Sequence, residues 1–158
     1  MSSKPLIELL EKLLKLHKSL TQVASEKTEV LKKGDVEALN TLMKNEQTHI
    51  NAIRLIEQQR VKTLAKLLPG EKDPTLRDCL PLFEESVQQE VITLQEKLVQ
   101  QIDQLKAAND LNQQLLEQSL QFVMLNLDLF LPENMPNYSK ENEEPSTNSN
   151  LSLFDSKA

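Results

Sequence analysis

The sequence predicts an all-α protein, and three observations carry that prediction. Good helix formers, above all Leu, Gln, Glu and Lys, dominate the chain. Two glycines, one tyrosine and no tryptophan in 158 residues leave little material for tight hairpin turns or aromatic strands. All seven prolines and both glycines fall where a reading of three long helices needs starts, breaks or ends, and none interrupts a long helix. The expected architecture is an antiparallel bundle of three long helices, a helical hairpin plus a longer third helix. It is coiled-coil-like, forms a single domain over residues 1–131 and is followed by a disordered tail over 132–158.

The first helix is expected over about residues 4–33. Pro5 suits a first turn, and Leu6, Leu9, Leu13, Leu16, Leu20, Val23 and Val30 recur at alternating three- and four-residue spacing, with Lys27 breaking the series. Gly34 can take the left-handed conformation that closes a helix, and Asp35 can cap the next one, so a hairpin follows. The second helix, about 36–68, repeats the seam with Val36, Leu39, Met43, Ile50, Ile53, Ile56, Leu64 and Leu67, and places Glu46 and Arg60 at or beside it. Pro69-Gly70 ends it.

Asp73-Pro74 reads as an N-cap and first-turn proline for a short helix over about 74–80, before Pro81. The third long helix is expected over 82–131, with Val87, Val91, Leu94, Leu98, Ile102 and Leu105, then Asn109 and Asn112, then Leu116, Leu120 and Val123. Polar residues in a seam often set register; the alternative is a rotated helix with both amides in water. Beyond Pro132 the composition turns to Asn, Ser, Glu and Pro, which predicts disorder, with Leu151-Ser-Leu-Phe154 as its apolar content.

Length then points to a site. At 1.5 Å per residue the second helix spans roughly 50 Å, and the third is about half as long again. If the third helix runs back along the second, its partner ends near residue 114 and the remainder overhangs. That remainder, residues 115–131, is the most apolar stretch of the chain, although a solvated overhang should be its most polar part. From Leu120 onward apolar residues point in nearly every direction, as on a helix covered from several sides. The tail, a second copy or a client helix could supply the cover; the plainer reading is that the segment fills an ordinary core.

Other functions find little support. A formal charge of −6 with dispersed Lys and Arg disfavours nucleic acid, and no apolar run approaches the roughly 20 residues of a membrane span. Met1–Pro5 followed by Glu8 and Glu11 lacks the form of a signal peptide, so a cytoplasmic protein is expected. Cys79 has no internal partner and reads as a filler thiol. No glycine-rich phosphate loop, metal-spaced Cys/His cluster or paired catalytic carboxylates are found, and His17 and His49 stand apart in different helices. Neither enzymatic activity nor any cofactor or metal is expected.

The run Asn112-x-x-Leu115-Leu116-x-x-Ser119-Leu120-x-Phe122-Val123, at the end of a third long helix, resembles the FlgN-like family of bacterial flagellar export chaperones, loosely over residues 4–131. The resemblance implies a cytoplasmic chaperone that holds hook-associated (hook-filament junction) proteins before type III export and grips them through its C-terminal helix, with export apparatus components as a further candidate partner. Leu115, Leu116, Leu120, Phe122, Val123, Leu127 and Phe130 are the expected anchors. Asn112 and Ser119 join them because they match the family spacing. The competing expectation is a structural or regulatory coiled coil that forms a homo-oligomer through the same segment.

Overall fold

The structure is a computed structural model that describes residues 2–130. The expected disordered tail, its Leu151–Phe154 stretch and Leu131 lie outside the described residues, as does the side chain of Phe130. Every regular element among the described residues is helical: α1 (Lys4–Lys33), α2 (Val36–Leu67), α3 (Leu76–Cys79), a 3-10 turn (Leu80–Leu82) and α4 (Glu85–Phe130).

The hairpin between α1 and α2 is set by two adjacent residues. Gly34 takes φ 71°, open to glycine at no steric cost, and its N–H donates back to the carbonyls of Val30 and Leu31. The Asp35 carboxylate then accepts from the N–H of Ala38 at 3.1 Å and starts α2. At the second corner the cap differs from expectation. Asp73 sits at φ 51° before Pro74, and the capping residue is Thr75, whose hydroxyl accepts from the Asp78 N–H while the Asp78 carboxylate accepts from the Thr75 N–H at 2.8 Å. Pro74 disfavours a helical residue before it, so the cap moves past the proline. The hydrogen bond from the Thr75 N–H, aided by the Thr75 side chain, favours the ionised carboxyl and holds Asp78 below its ordinary pKa.

Helix α4 starts at Glu85, three residues later than the periodicity suggests, because Phe83 is extended and turned into the core instead of opening a helical turn. Phe83 joins Leu6, Leu10, Leu13 and Leu14 of α1, Leu64 and Leu67 of α2, Leu76, Cys79, and Val91, Leu94 and Leu98 of α4 in the main core. Burial raises the pKa of the Cys79 thiol, which donates to the Leu76 carbonyl at 2.9 Å, so it fills space and stays protonated.

The central element is α1. Its backbone runs close along both α2 and α4, whereas α2 and α4 approach each other only through side chains in the shared core. Lys27 pairs with Glu46 and Ser19 with His49, so α1 and α2 run antiparallel. Leu20 and Ala24 pack on Leu105, and Thr28 meets Asn112, so α4 runs in the same direction as α1. The third long helix therefore rests on the first, not the second. The reason lies in α1 itself, which buries a second line, Leu10, Leu14, Ala24 and Thr28, beside the expected seam of Leu6, Leu9, Leu13, Leu20 and Val23. By contrast α2 has only Leu64 and Leu67 fully buried.

The core changes character along its length. Beyond the small cluster of Leu20, Ala24 and Leu105 it becomes polar. Lys27, buried at 3 %, donates to Glu46 at 2.9 Å. Asn112, 2 % exposed, donates to the Ala24 carbonyl at 2.9 Å and accepts from the Thr28 hydroxyl. A buried amide with its partners met fixes register. Replacing Asn112 by Ala removes both bonds and should lower unfolding free energy by about 1–2 kcal/mol. Urea denaturation checks this, with helix content before the transition unchanged.

His17, half-buried on α1, gives a pH dependence. Burial lowers its pKa from 6.5, partly offset by the nearby Glu57 carboxylate, and its Nδ1 has no hydrogen-bond partner. The unfolded chain thus takes up this proton more readily than the folded one, and stability falls as the pH drops through about 6.5. A His17→Gln variant should lose that part of the pH dependence in thermal melts between pH 7.5 and 5.5, about the window in which histidine titrates.

Candidate functional site

The site is built by a mismatch of lengths. With Thr28 beside Asn112, the last residue of α1, Lys33, falls level with residue 117 of α4. Helix α4 continues to Phe130, an overhang of about 20 Å at 1.5 Å per residue. Residue counting along α2 puts the loss of a partner near residue 114, whereas the helix that covers α4 is α1. The position survives because α1 and α2 both stop at the same hairpin.

Burial falls away along this stretch. Leu115 and Leu116 are half-buried, and Ser119, Leu120, Phe122, Val123 and Leu127 are exposed. The apolar side chains from Leu120 to Leu129 are 51–79 % exposed, with Leu129 the most open. Each represents surface whose burial stabilises a complex by roughly 1.5–3 kcal/mol when complete, and seven such residues in ten form a patch of a kind monomeric surfaces rarely carry. Asn112 stands apart from the other expected site residues: it lies inside the bundle and holds α4 to α1 where the overhang begins. Phe130 is placed on the helix by its backbone alone.

At 3.6 residues per turn the overhang presents two separate apolar faces. A front face of Leu116, Leu120, Val123, Met124 and Leu127 continues the side that α1 covers lower down through Val91, Leu94, Leu98 and Leu105. A back face of Leu111, Leu115, Phe122, Leu125 and Leu129 lies roughly 120° round the helix from the α1 side. Glu117, Gln121 and Asp128 separate the faces on one flank, Ser119 and Asn126 on the other. The expected anchors thus divide, with Leu116, Leu120, Val123 and Leu127 in front and Leu115 and Phe122 behind. Leu111, Leu125 and Leu129 were missed as members of a face. Their signal is a second three-and-four repeat, out of phase with the first.

At the foot of the overhang the turn into α2 adds Val36, 66 % exposed, and the partly exposed Met43. Among the described residues no group of His, Cys, Asp and Glu could hold a metal ion, and no helix is long and apolar enough to cross a membrane.

Residues 1–146 match the family described as FlgN protein. The chain belongs to the FlgN family. The match, which covers nearly the whole chain, is to a family of flagellar chaperones. A relative in Bacillus subtilis (strain 168), described as uncharacterized protein YvyG, is 38 % identical over 160 residues that cover 100 % of both chains. No solved structure matches.

An apolar helix without a partner has only marginal stability at this length. Amides from residue 119 to 129 should therefore exchange with solvent orders of magnitude faster than those of residues 91–105. Hydrogen-exchange mass spectrometry reads this directly. Uniform protection along α4 would mean that the distal segment is covered in the free protein.

Proposed function

We propose that this FlgN-family protein is a cytoplasmic export chaperone. Its clients are hook-associated (hook-filament junction) proteins, held through the front face of the α4 overhang until they enter the type III export apparatus. The observation that carries the reading is the exposed apolar front face, in line with the seat that α1 occupies below it, in a chain of the FlgN family. A client helix laid along Leu116, Leu120, Val123 and Leu127 would continue the packing of α1 upward, as helix-in-groove recognition does elsewhere.

The chemistry is that of burial. A client segment with an unpaired apolar stripe associates wrongly before assembly, and covering that stripe against α4 suppresses the association without a cofactor or covalent step. Four front-face anchors at roughly 1.5–3 kcal/mol each exceed the lower estimates of the cost of bringing two molecules together, which leaves a margin for tight and reversible binding. Asn112 serves the grip indirectly, by fixing the level at which α4 leaves α1. Ser119 marks the polar edge of the face.

Isothermal titration with the hook-filament junction proteins tests this reading. The unchanged chain should bind at least one of them saturably, in proportion to the number of client chains. Joint replacement of Leu120→Asp and Val123→Asp should weaken capture by about 100-fold or more, with helix content and urea midpoint retained. Undiminished capture by that variant would move the site elsewhere, and absence of binding by the folded wild-type chain would reject the client class.

A further inference from the structure

Charge is divided unevenly between the helices. Together α1 and α2 hold twelve Lys or Arg against seven Asp or Glu, whereas α4 holds two against seven. In a chain of net charge −6 the hairpin is therefore a basic body, and α4 an acidic one.

Within the hairpin the positive charge has a focus. Lys12 of α1 and Lys62 and Lys66 of α2 are distant in sequence, but the antiparallel packing of the two helices brings all three to one surface groove between them. The three lysines are exposed, and among the described residues none of them forms an ion pair. Glu8 is the one acid that lines the groove, and the buried Leu9 and half-buried Thr63 line it more deeply. One turn further along, Leu16 follows Lys12 by four residues and Leu55 precedes Gln59 by four, so the pairing sets the two leucines at roughly one level. Leu16 is half-buried and Leu55 is 60 % exposed. The groove thus runs from a cationic end to an apolar one.

We infer that this groove docks an acidic amphipathic segment of a partner protein. Its carboxylates lie on Lys12, Lys62 and Lys66, and an apolar side chain rests on Leu16 and Leu55. Three unpaired cations around a concave surface repel one another, and carboxylates relieve that repulsion. The concavity and the apolar end favour an inserted polypeptide over a flat lipid surface or a phosphate backbone. Exposed ion pairs contribute little each and are screened by salt, so the docking is weak and reversible. Lys12 lies about 30 Å along α1 from Lys33, below the level where the overhang begins, so both sites can be occupied at once.

The test needs no client and so stands apart from the client reading. The probe is a fluorescein-labelled helical peptide of about 15 residues, with two Leu one turn apart and Glu at most other positions. By fluorescence anisotropy the full chain should bind it with a Kd on the order of 10–100 μM in about 50 mM salt, and about fivefold or more weakly in about 300 mM salt. Joint replacement of Lys12→Gln, Lys62→Gln and Lys66→Gln should weaken binding by about tenfold or more, with helix content and urea midpoint unchanged because all three side chains are exposed. Lys33→Gln, Lys97→Gln and Lys106→Gln together change the net charge equally and should leave the affinity within about twofold. Leu55→Ser should weaken binding, and Glu8→Gln should tighten it.

Absence of peptide binding by the folded chain overturns the proposal, as does an equal loss in the two triple variants. Loss of peptide binding in the Leu120→Asp, Val123→Asp variant places the peptide on the overhang and overturns it too. Phosphatidylglycerol-containing vesicles or duplex DNA, if bound more tightly than the peptide and released by the Lys12, Lys62 and Lys66 substitutions, replace the acidic segment with a membrane or a nucleic acid as the occupant.

Discussion

Everything in this protein depends on α1 having two sides to give. A helix with one apolar stripe holds one neighbour; α1 carries two, and so holds α2 and α4 at once while the backbones of those two stay apart. The consequence is an architecture in which the length of α1, not that of α2, decides where α4 loses its cover. The Gly34–Asp35 turn fixes that length, since the left-handed residue and the cap that follows it allow neither helix to run past the other.

The interior is graded along this axis. Near the α3 corner it is apolar and fed from every element, with Leu6, Leu10, Leu64, Val91 and Cys79 almost wholly enclosed. Near the hairpin it narrows to Leu20, Ala24 and Leu105 and then to Lys27, Glu46, Thr28 and Asn112. Polar pairs in that position contribute alignment more than cohesion, because the desolvation they suffer offsets much of what their hydrogen bonds gain. The bundle is held firmly at one end and aligned at the other, and the exposed segment emerges from the aligned end.

Much of this was legible in the residues. The breaks at Gly34, Pro69-Gly70 and Pro81 are local chemistry, and the helices follow from them. Lys27 was visible as an interruption of the first seam, and Asn112 as a polar member of the third, because each violates a repeat. Which helix lies against which was not legible. Leu10, Leu14, Ala24 and Thr28 look like the far side of an ordinary amphipathic helix until a second neighbour is known. The shift of the cap from Asp73 to Thr75 and the turning of Phe83 into the core depend on tertiary fit around Pro74 and Pro81, which no repeat encodes. The apolar overhang is legible from helix lengths alone, yet its division into two faces depends on the direction in which α1 lies.

The graded core separates two kinds of evolutionary change. Substitutions in the body must satisfy three helices at once, whereas those beyond residue 117 disturb no interior packing and leave the fold's stability nearly untouched. Insertion or loss of seven residues in the overhang would alter its reach and keep each face pointing the same way; a change of two would swing both faces more than halfway round the helix. The segment is thus free to drift in specificity within a fixed reading frame of heptads, while the body that carries it stays still.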